Sequence, residues 1–251
     1  MKNVRKKISI GSWITLAHPS IAEIFCSAGF DWLAIDLEHS SITIREAEDL
    51  IRIINLSGVK PYVRLTSNND DQIKRVLDSG AEGIIVPMVN SKEDVKRAIQ
   101  ACYYNPIGNR SVGLARAQGY GRSLDKYIKW LKKDFRLIVQ IEHIDAIENL
   151  DEIFSIKQLY GYIIGPYDLS ASMGIPGNFS DTSFKNNIKK INLAASKYNL
   201  NRGIHIIEPN VKTLKEKINE GFNIIGYSLD IRMLDQLCQQ GIDEVKKNKK
   251  L

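Results

Sequence analysis

The sequence predicts a (β/α)8 barrel, an α/β fold of the TIM type, built as a single domain over residues 1–251. Short β-branched runs alternate with stretches whose apolar residues recur at helical spacing, and alternation of this kind implies parallel strands. Eight such runs fit the chain, and glycine-bearing turns precede several of them. A doubly wound open sheet is the alternative architecture.

The first strand is expected at 8–16, ISIGSWITL, after a basic start. The turn SAGF leads into the second at 32–37, WLAIDL, and the amphipathic stretch IREAEDLIRIIN follows it. SGVK introduces the third at 61–66, PYVRLT, and SGAEG the fourth at 83–89, GIIVPMV. In SKEDVKRAIQACYY, Ser91 is placed to cap a helix, with Asp94 three residues on. The segment 105–123, NPIGNRSVGLARAQGYGRS, has no helical period and reads as one long functional or mobile loop. The remaining strands are expected at 137–142, LIVQIE; 160–165, YGYIIG; 203–207, GIHII; and 223–228, NIIGYS, the last after NEGF.

With 43% apolar and 25% charged residues the chain can bury a large core, which excludes disorder. No apolar run reaches signal-peptide or membrane-span length, so a cytoplasmic location and no membrane partner are expected. Cys26, Cys102 and Cys238 form no CxxC pair and read as reduced, buried fillers rather than a zinc knuckle or disulfide framework. The formal charge of +6 collects at the ends, KNVRKK and KKNKK, and in KWLKKDFR. Without interleaved aromatics this reads as solvated surface; binding of RNA or another anionic surface through those ends is the alternative from another class.

Chemistry on such a barrel belongs at the C-terminal strand ends. The polar residues there are Asp36, Glu38 and His39 after the second strand, Arg64 on the third, Gln140 and Glu142 on the fifth, and Asp168 after the sixth. Glu142 and Asp168 are hard oxygen ligands suited to Mg²⁺ or Mn²⁺; the bland alternative is that each caps a helix or meets a surface lysine. Arg64 is expected to clamp a carboxylate or oxyanion, or else to pair internally with Asp36 or Glu38. His39 suits a general base, its ring oriented by Asp36. No strand interior holds a lysine, since Lys60 falls at the N-terminal end of the third, which argues against Schiff-base chemistry. The seventh and eighth strands lead into IIEPNV and YSLDIR, which lack a glycine-rich phosphate cradle, so a phosphorylated substrate or flavin is disfavoured. A cation, an arginine and a histidine fit formation of an enolate beside a carbonyl.

The motifs DLEH, YVRLT, PMVNSKEDVKRAIQACYYNPIGNRSVG, VQIEHIDAIENLDEI and IIGPYDLSASMGIPG, in this order and spacing, resemble the HpcH/HpaI aldolase family over nearly the whole chain. That family comprises class II, metal-dependent pyruvate aldolases acting on 4-hydroxy-2-oxo acids such as 4-hydroxy-2-oxoheptanedioate and 2-dehydro-3-deoxyglucarate. The resemblance implies reversible cleavage to pyruvate and an aldehyde through a metal-stabilised pyruvate enolate, with Mg²⁺, Mn²⁺ or Co²⁺ as the cation. By resemblance Glu142 and Asp168 are the metal ligands, Arg64 stabilises the enolate, and His39 with Asp36 moves the proton through a water on the metal. The resemblance further implies that Gln140 lies beside the substrate and that the backbone amides of Gly165, Pro166, Tyr167 and Asp168 hold the pyruvate carboxylate. The resemblance also implies a homo-oligomer, a hexamer built as a trimer of dimers, in which a last helix such as IRMLDQLCQQGIDEVKK is exchanged between subunits. Leu37, Arg110-Ser111-Val112-Gly113 and His143 depart from the pattern, which leaves the aldehyde open. A related lyase acting on a CoA thioester of the malyl or citramalyl type is the other enzyme reading; those relatives are generally longer.

Overall fold

The computed structural model describes residues 6–248. Eight parallel strands close into a barrel in chain order: β1 (Ser9–Ile14), β2 (Trp32–Asp36), β3 (Lys60–Arg64), β4 (Gly83–Val86), β5 (Arg136–Ile141), β6 (Gly161–Ile164), β7 (Asn201–Ile206) and β8 (Ile224–Leu229). Around them run α1 (Pro19–Ser27), α2 (Ile44–Leu56), α3 (Asp70–Asp78), α4 (Lys92–Cys102), α5 (Leu124–Lys133), α6 (Ile144–Glu148), α7 (Leu150–Phe154), α8 (Pro166–Ser172), α9 (Thr182–Lys197), α10 (Val211–Asn219) and α11 (Asp230–Asn248).

The turns follow from glycine. Gly29, Gly58, Gly80 and Gly221, each just past a helix, have φ between +78° and +102°, the left-handed region where a side chain is strained. Ser91 and Asp94 form a reciprocal capping box, the Asp94 N–H donating to Ser91 Oγ at 3.2 Å and the Ser91 N–H to Asp94 Oδ2 at 3.0 Å.

Side chains alternate between two cores. Trp13, Trp32, Ala34, Tyr62, Ile85, Ile138, Ile163 and Ile224 fill the barrel interior, while Ile35, Val63, Ile84, Val139 and Ile164 face the helices. Gly11 makes the interior possible, because a Cβ there would stand 2.0 Å from the Trp32 ring.

Strand ends differ from expectation where local chemistry intervenes. β4 stops at Val86 rather than 89, because Pro87 has no N–H to donate and Met88 turns left-handed at φ +50°. β1 stops at Ile14 because the N–H groups of Thr15 and Leu16 both donate to Asp230 Oδ2 at 2.8 Å. The cysteines are free, but only Cys102 is buried among the described residues; Cys26 is half-buried and Cys238 exposed. No helix among the described residues is long and apolar enough to cross a membrane. The basic ends lie largely outside the described residues.

The long loop lies at the end of the barrel opposite the C-terminal strand ends. Arg116 donates to Ser79 O at 3.0 Å and sits against Gly80, just ahead of β4. Arg110 is buried, paired with Asp78, and stacked near Tyr104 and Tyr127 at 5.0 and 5.6 Å. The segment is therefore an anchored strap rather than a mobile loop.

Candidate active site

At the C-terminal strand ends lies a cavity of about 380 Å³ lined by Asp36, His39, Arg64, Gln140 and the run Gly165–Asp168, with Trp13, His205, Ile207 and Leu229 closing its other side. Larger cavities of about 650 Å³ exist, one of them at the opposite end among Lys132, Lys133, Arg136 and Lys157. Size does not mark the site here; the smaller cavity gathers acid, base and arginine at the strand ends.

Arg64, the last residue of β3, forks onto its cross-strand neighbour Asp36, with Nε 2.9 Å from Oδ1 and Nη2 2.5 Å from Oδ2. Asp36 Oδ1 also accepts the N–H groups of Glu38 at 3.0 Å and His39 at 3.3 Å. Burial alone would push the Asp36 carboxyl up, but Arg64 and these amides hold it below the usual range. Burial likewise disfavours the Arg64 charge, and Asp36, with Glu38 and Glu142, more than reverses that. Asp36 is thus committed to Arg64, and the expected Asp36–imidazole pair is replaced: the His39 ring, 65% exposed, has Nε2 3.9 Å from Glu38 Oε2.

Glu142 follows β5 and is buried beside Gly165, where a Cβ would stand 2.9 Å from its Oε2. Its Oε1 accepts the Met88 N–H at 2.7 Å and its Oε2 accepts from Gln140 Nε2. Burial, with Asp168 close by, raises its pKa. Glu38 is pushed up to about 7 by burial and by Glu142, Asp36 and Asp168, although Arg64 Nη1 lies 3.3 Å from its Oε2. Four carboxylates around one guanidinium leave excess negative charge, and Gln140 Oε1 is buried without a hydrogen-bond partner. These hard oxygen donors fit a divalent cation, Glu142 and Asp168 supplying the carboxylates and the remaining positions falling to smaller ligands. No group of three or more His, Cys, Asp or Glu side chains is gathered around one metal position among the described residues.

The run Gly165–Asp168 narrows as an anion cradle. The Gly165 N–H donates to Ile141 O at 3.3 Å and Pro166 has none, which leaves the N–H groups of Tyr167 and Asp168 in the first turn of α8. His143, next to Glu142, caps α6 by accepting the Asp145 N–H at 3.3 Å. The sequence reading missed the Met88 amide, Trp13 and His205. His205 had a visible signal, a polar residue inside the apolar run GIHII, the same signal that picked out Arg64.

The model of the HpcH/HpaI aldolase/citrate lyase family matches residues 9–235. The chain belongs to that family. The 2-keto-3-deoxy-L-rhamnonate aldolase of Salmonella gallinarum is 39% identical over 171 residues, 67% of this chain and 64% of that protein. Its counterpart in Escherichia coli K12 is 37% identical over 174 residues, 68% of this chain and 65% of that protein, so the chain spans slightly less than two thirds of these relatives. The HpcH/HpaI aldolase from Desulfitobacterium hafniense DCB-2 superimposes with a TM-score of 0.89 at 26% identity, covering 96% of this chain and 93% of the other.

Proposed function

We propose that this HpcH/HpaI family member is a divalent-metal-dependent aldolase that reversibly cleaves a 4-hydroxy-2-oxo acid to pyruvate and an aldehyde. The observation that carries the reading is the single cavity in which the Asp36-braced Arg64 faces the Glu142 and Asp168 side of the barrel, with no lysine in its wall. The curated relatives are named for a 2-keto-3-deoxy sugar acid, which supports a 2-oxo acid as substrate.

The substrate carboxylate is received by the Tyr167 and Asp168 amides, and Gln140 lies beside it. Its 2-oxo oxygen lies towards Arg64, whose plane Asp36 fixes. His39 takes the proton of the 4-hydroxyl, the C3–C4 bond breaks, and its electron pair becomes the enolate whose oxygen Arg64 stabilises. Return of the proton to C3 gives pyruvate, and the aldehyde leaves. A divalent cation on Glu142 and Asp168, Mg²⁺ or Mn²⁺ by ligand type, supplies Lewis-acid polarisation of the 2-oxo group.

Assembly follows from α11. Ile231, Leu234, Leu237, Ile242 and Val245 are all exposed along this helix, which touches its own barrel mainly at β1 and β8. Such a stripe supports a homo-oligomer in which α11 packs on a second copy. The test of function is incubation of purified protein with pyruvate, a small aldehyde and Mn²⁺ or Mg²⁺. An aldol product that disappears on chelation is expected; no product, or full activity in chelator, overturns the reading.

A further inference from the structure

His205 lies on β7 and lines the cavity at the strand ends, yet no step above uses it. Gly226 of β8 makes room for it, since a Cβ there would stand 3.3 Å from His205 Cδ2 and 3.6 Å from Trp13. The imidazole lies against Trp13 at a centroid distance of 4.8 Å, and its Nε2 is 3.2 Å from the Ser228 carbonyl oxygen. A carbonyl oxygen only accepts, so Nε2 carries the ring proton. Burial, reinforced by Arg64, pushes the imidazole down to about 4, so at neutral pH Nδ1 is a free lone pair.

The ring direction is set as firmly as its tautomer. Ser228 has φ +55°, its Oγ donates to Ile207 O at 2.8 Å, and its carbonyl also accepts from Ser12 Oγ at 3.1 Å. Because Cδ2 and Nε2 face β8, the Nδ1 edge turns away from that strand, towards the cavity. It is an acceptor in a wall otherwise formed by Trp13, Ile163, Ile207 and Leu229. A second cavity of about 650 Å³, between α9, α10 and the helix-facing side of β7, shares Pro166, Tyr167, His205 and Ile207 with the first.

We propose that His205 Nδ1 accepts a hydrogen bond from a hydroxyl on the carbon chain of the substrate, so that this protein selects a hydroxylated reactant over its deoxy counterpart. The unprotonated Nδ1 itself offers no donor to a substrate carbonyl or carboxylate. The proposal rests on the aldolase reading. The hydroxyl belongs to the aldehyde or to the 2-oxo acid, and two arms separate these sources.

With the Mg²⁺-loaded protein, one arm compares glycolaldehyde with acetaldehyde, each with pyruvate; the other compares hydroxypyruvate with pyruvate, each with the same aldehyde. Ratios of kcat/KM within each variant cancel losses common to both members of a pair. Wild type is expected to favour the hydroxylated member of one arm about tenfold. His205→Leu abolishes that preference, and His205→Asn, whose amide oxygen takes the place of Nδ1, retains it. An unchanged ratio in an active His205→Leu overturns the proposal. If that variant does not fold, the ¹⁵N resonance of Nδ1 in wild type decides: it moves upfield with hydroxylated reactants, and no shift with any of them overturns the proposal. Wild type that turns over none of the pairs overturns the aldolase reading instead, while the ¹⁵N measurement still reports on His205.

Discussion

At the scale of single residues, the rim after β2 divides its work. Asp36 is bound to Arg64, so in the proposed reaction His39 acts without a carboxylate orienting its ring from behind, and Glu38 is the nearer acid. Because His39 projects from the surface, His39→Ala should leave folding and cation affinity intact while lowering kcat by about 10²–10⁴-fold. Unchanged turnover would place the proton carrier elsewhere. His205 gives a pH dependence of known sign. Its folded pKa of about 4 lies below the unfolded value of 6.5, and Arg64 and Asp36 are the charges that face it. The neutral ring favours the fold fully above pH 6.5, and stability drains away as the pH falls towards 4, by up to about 3 kcal/mol. In urea unfolding, wild type should lose midpoint between pH 7 and 4.5 by more than His205→Leu does; parallel losses would show that the imidazole is not held neutral.

At the scale of elements, all eight strands were legible because parallel barrel strands are apolar on both faces and several are led in by a glycine-bearing turn the sequence shows. Their ends were less so: Pro87–Met88 reads as continuous strand by composition, and only a missing N–H and a left-handed backbone reveal the break that aims the Met88 amide at Glu142. The loop 105–123 was legible as irregular but not as anchored, since the Arg110–Asp78 pair joins residues 32 positions apart. For α11, sequence periodicity shows an amphipathic helix, and the structure adds that its apolar stripe is left uncovered by the described residues. Leu237→Glu, at the most exposed of these positions, should shift sedimentation towards a smaller species without altering the circular dichroism of the fold; an unchanged sedimentation coefficient would remove α11 from the interface.

At the scale of the molecule, the barrel closes where β8 meets β1, through Asp230, whose Oδ1 also accepts the Thr15 hydroxyl at 2.6 Å. Closure brings residues from β2, β3, β5 and β6 around one point, and the sequence could name these residues but not their charge balance. Asp36, Glu38, Glu142 and Asp168 repel one another around a single guanidinium, and burial together with that repulsion raises the pKa of Glu38 and Glu142. A cation that binds only the folded chain lowers that repulsion and adds stability by mass action, about 2.7 kcal/mol at a hundred times its Kd. For a domain of this size that raises Tm by roughly 5–10 °C. Thermal unfolding in Mn²⁺ or Mg²⁺ should therefore show an upward shift that EDTA reverses. Glu142→Gln keeps an acceptor for the Met88 amide and removes one charge from the cluster, so its metal-free Tm should equal or exceed that of wild type. Its metal-induced shift should vanish, because one of the two carboxylate ligands is gone; a shift equal to that of wild type would place the cation at a site that does not include Glu142.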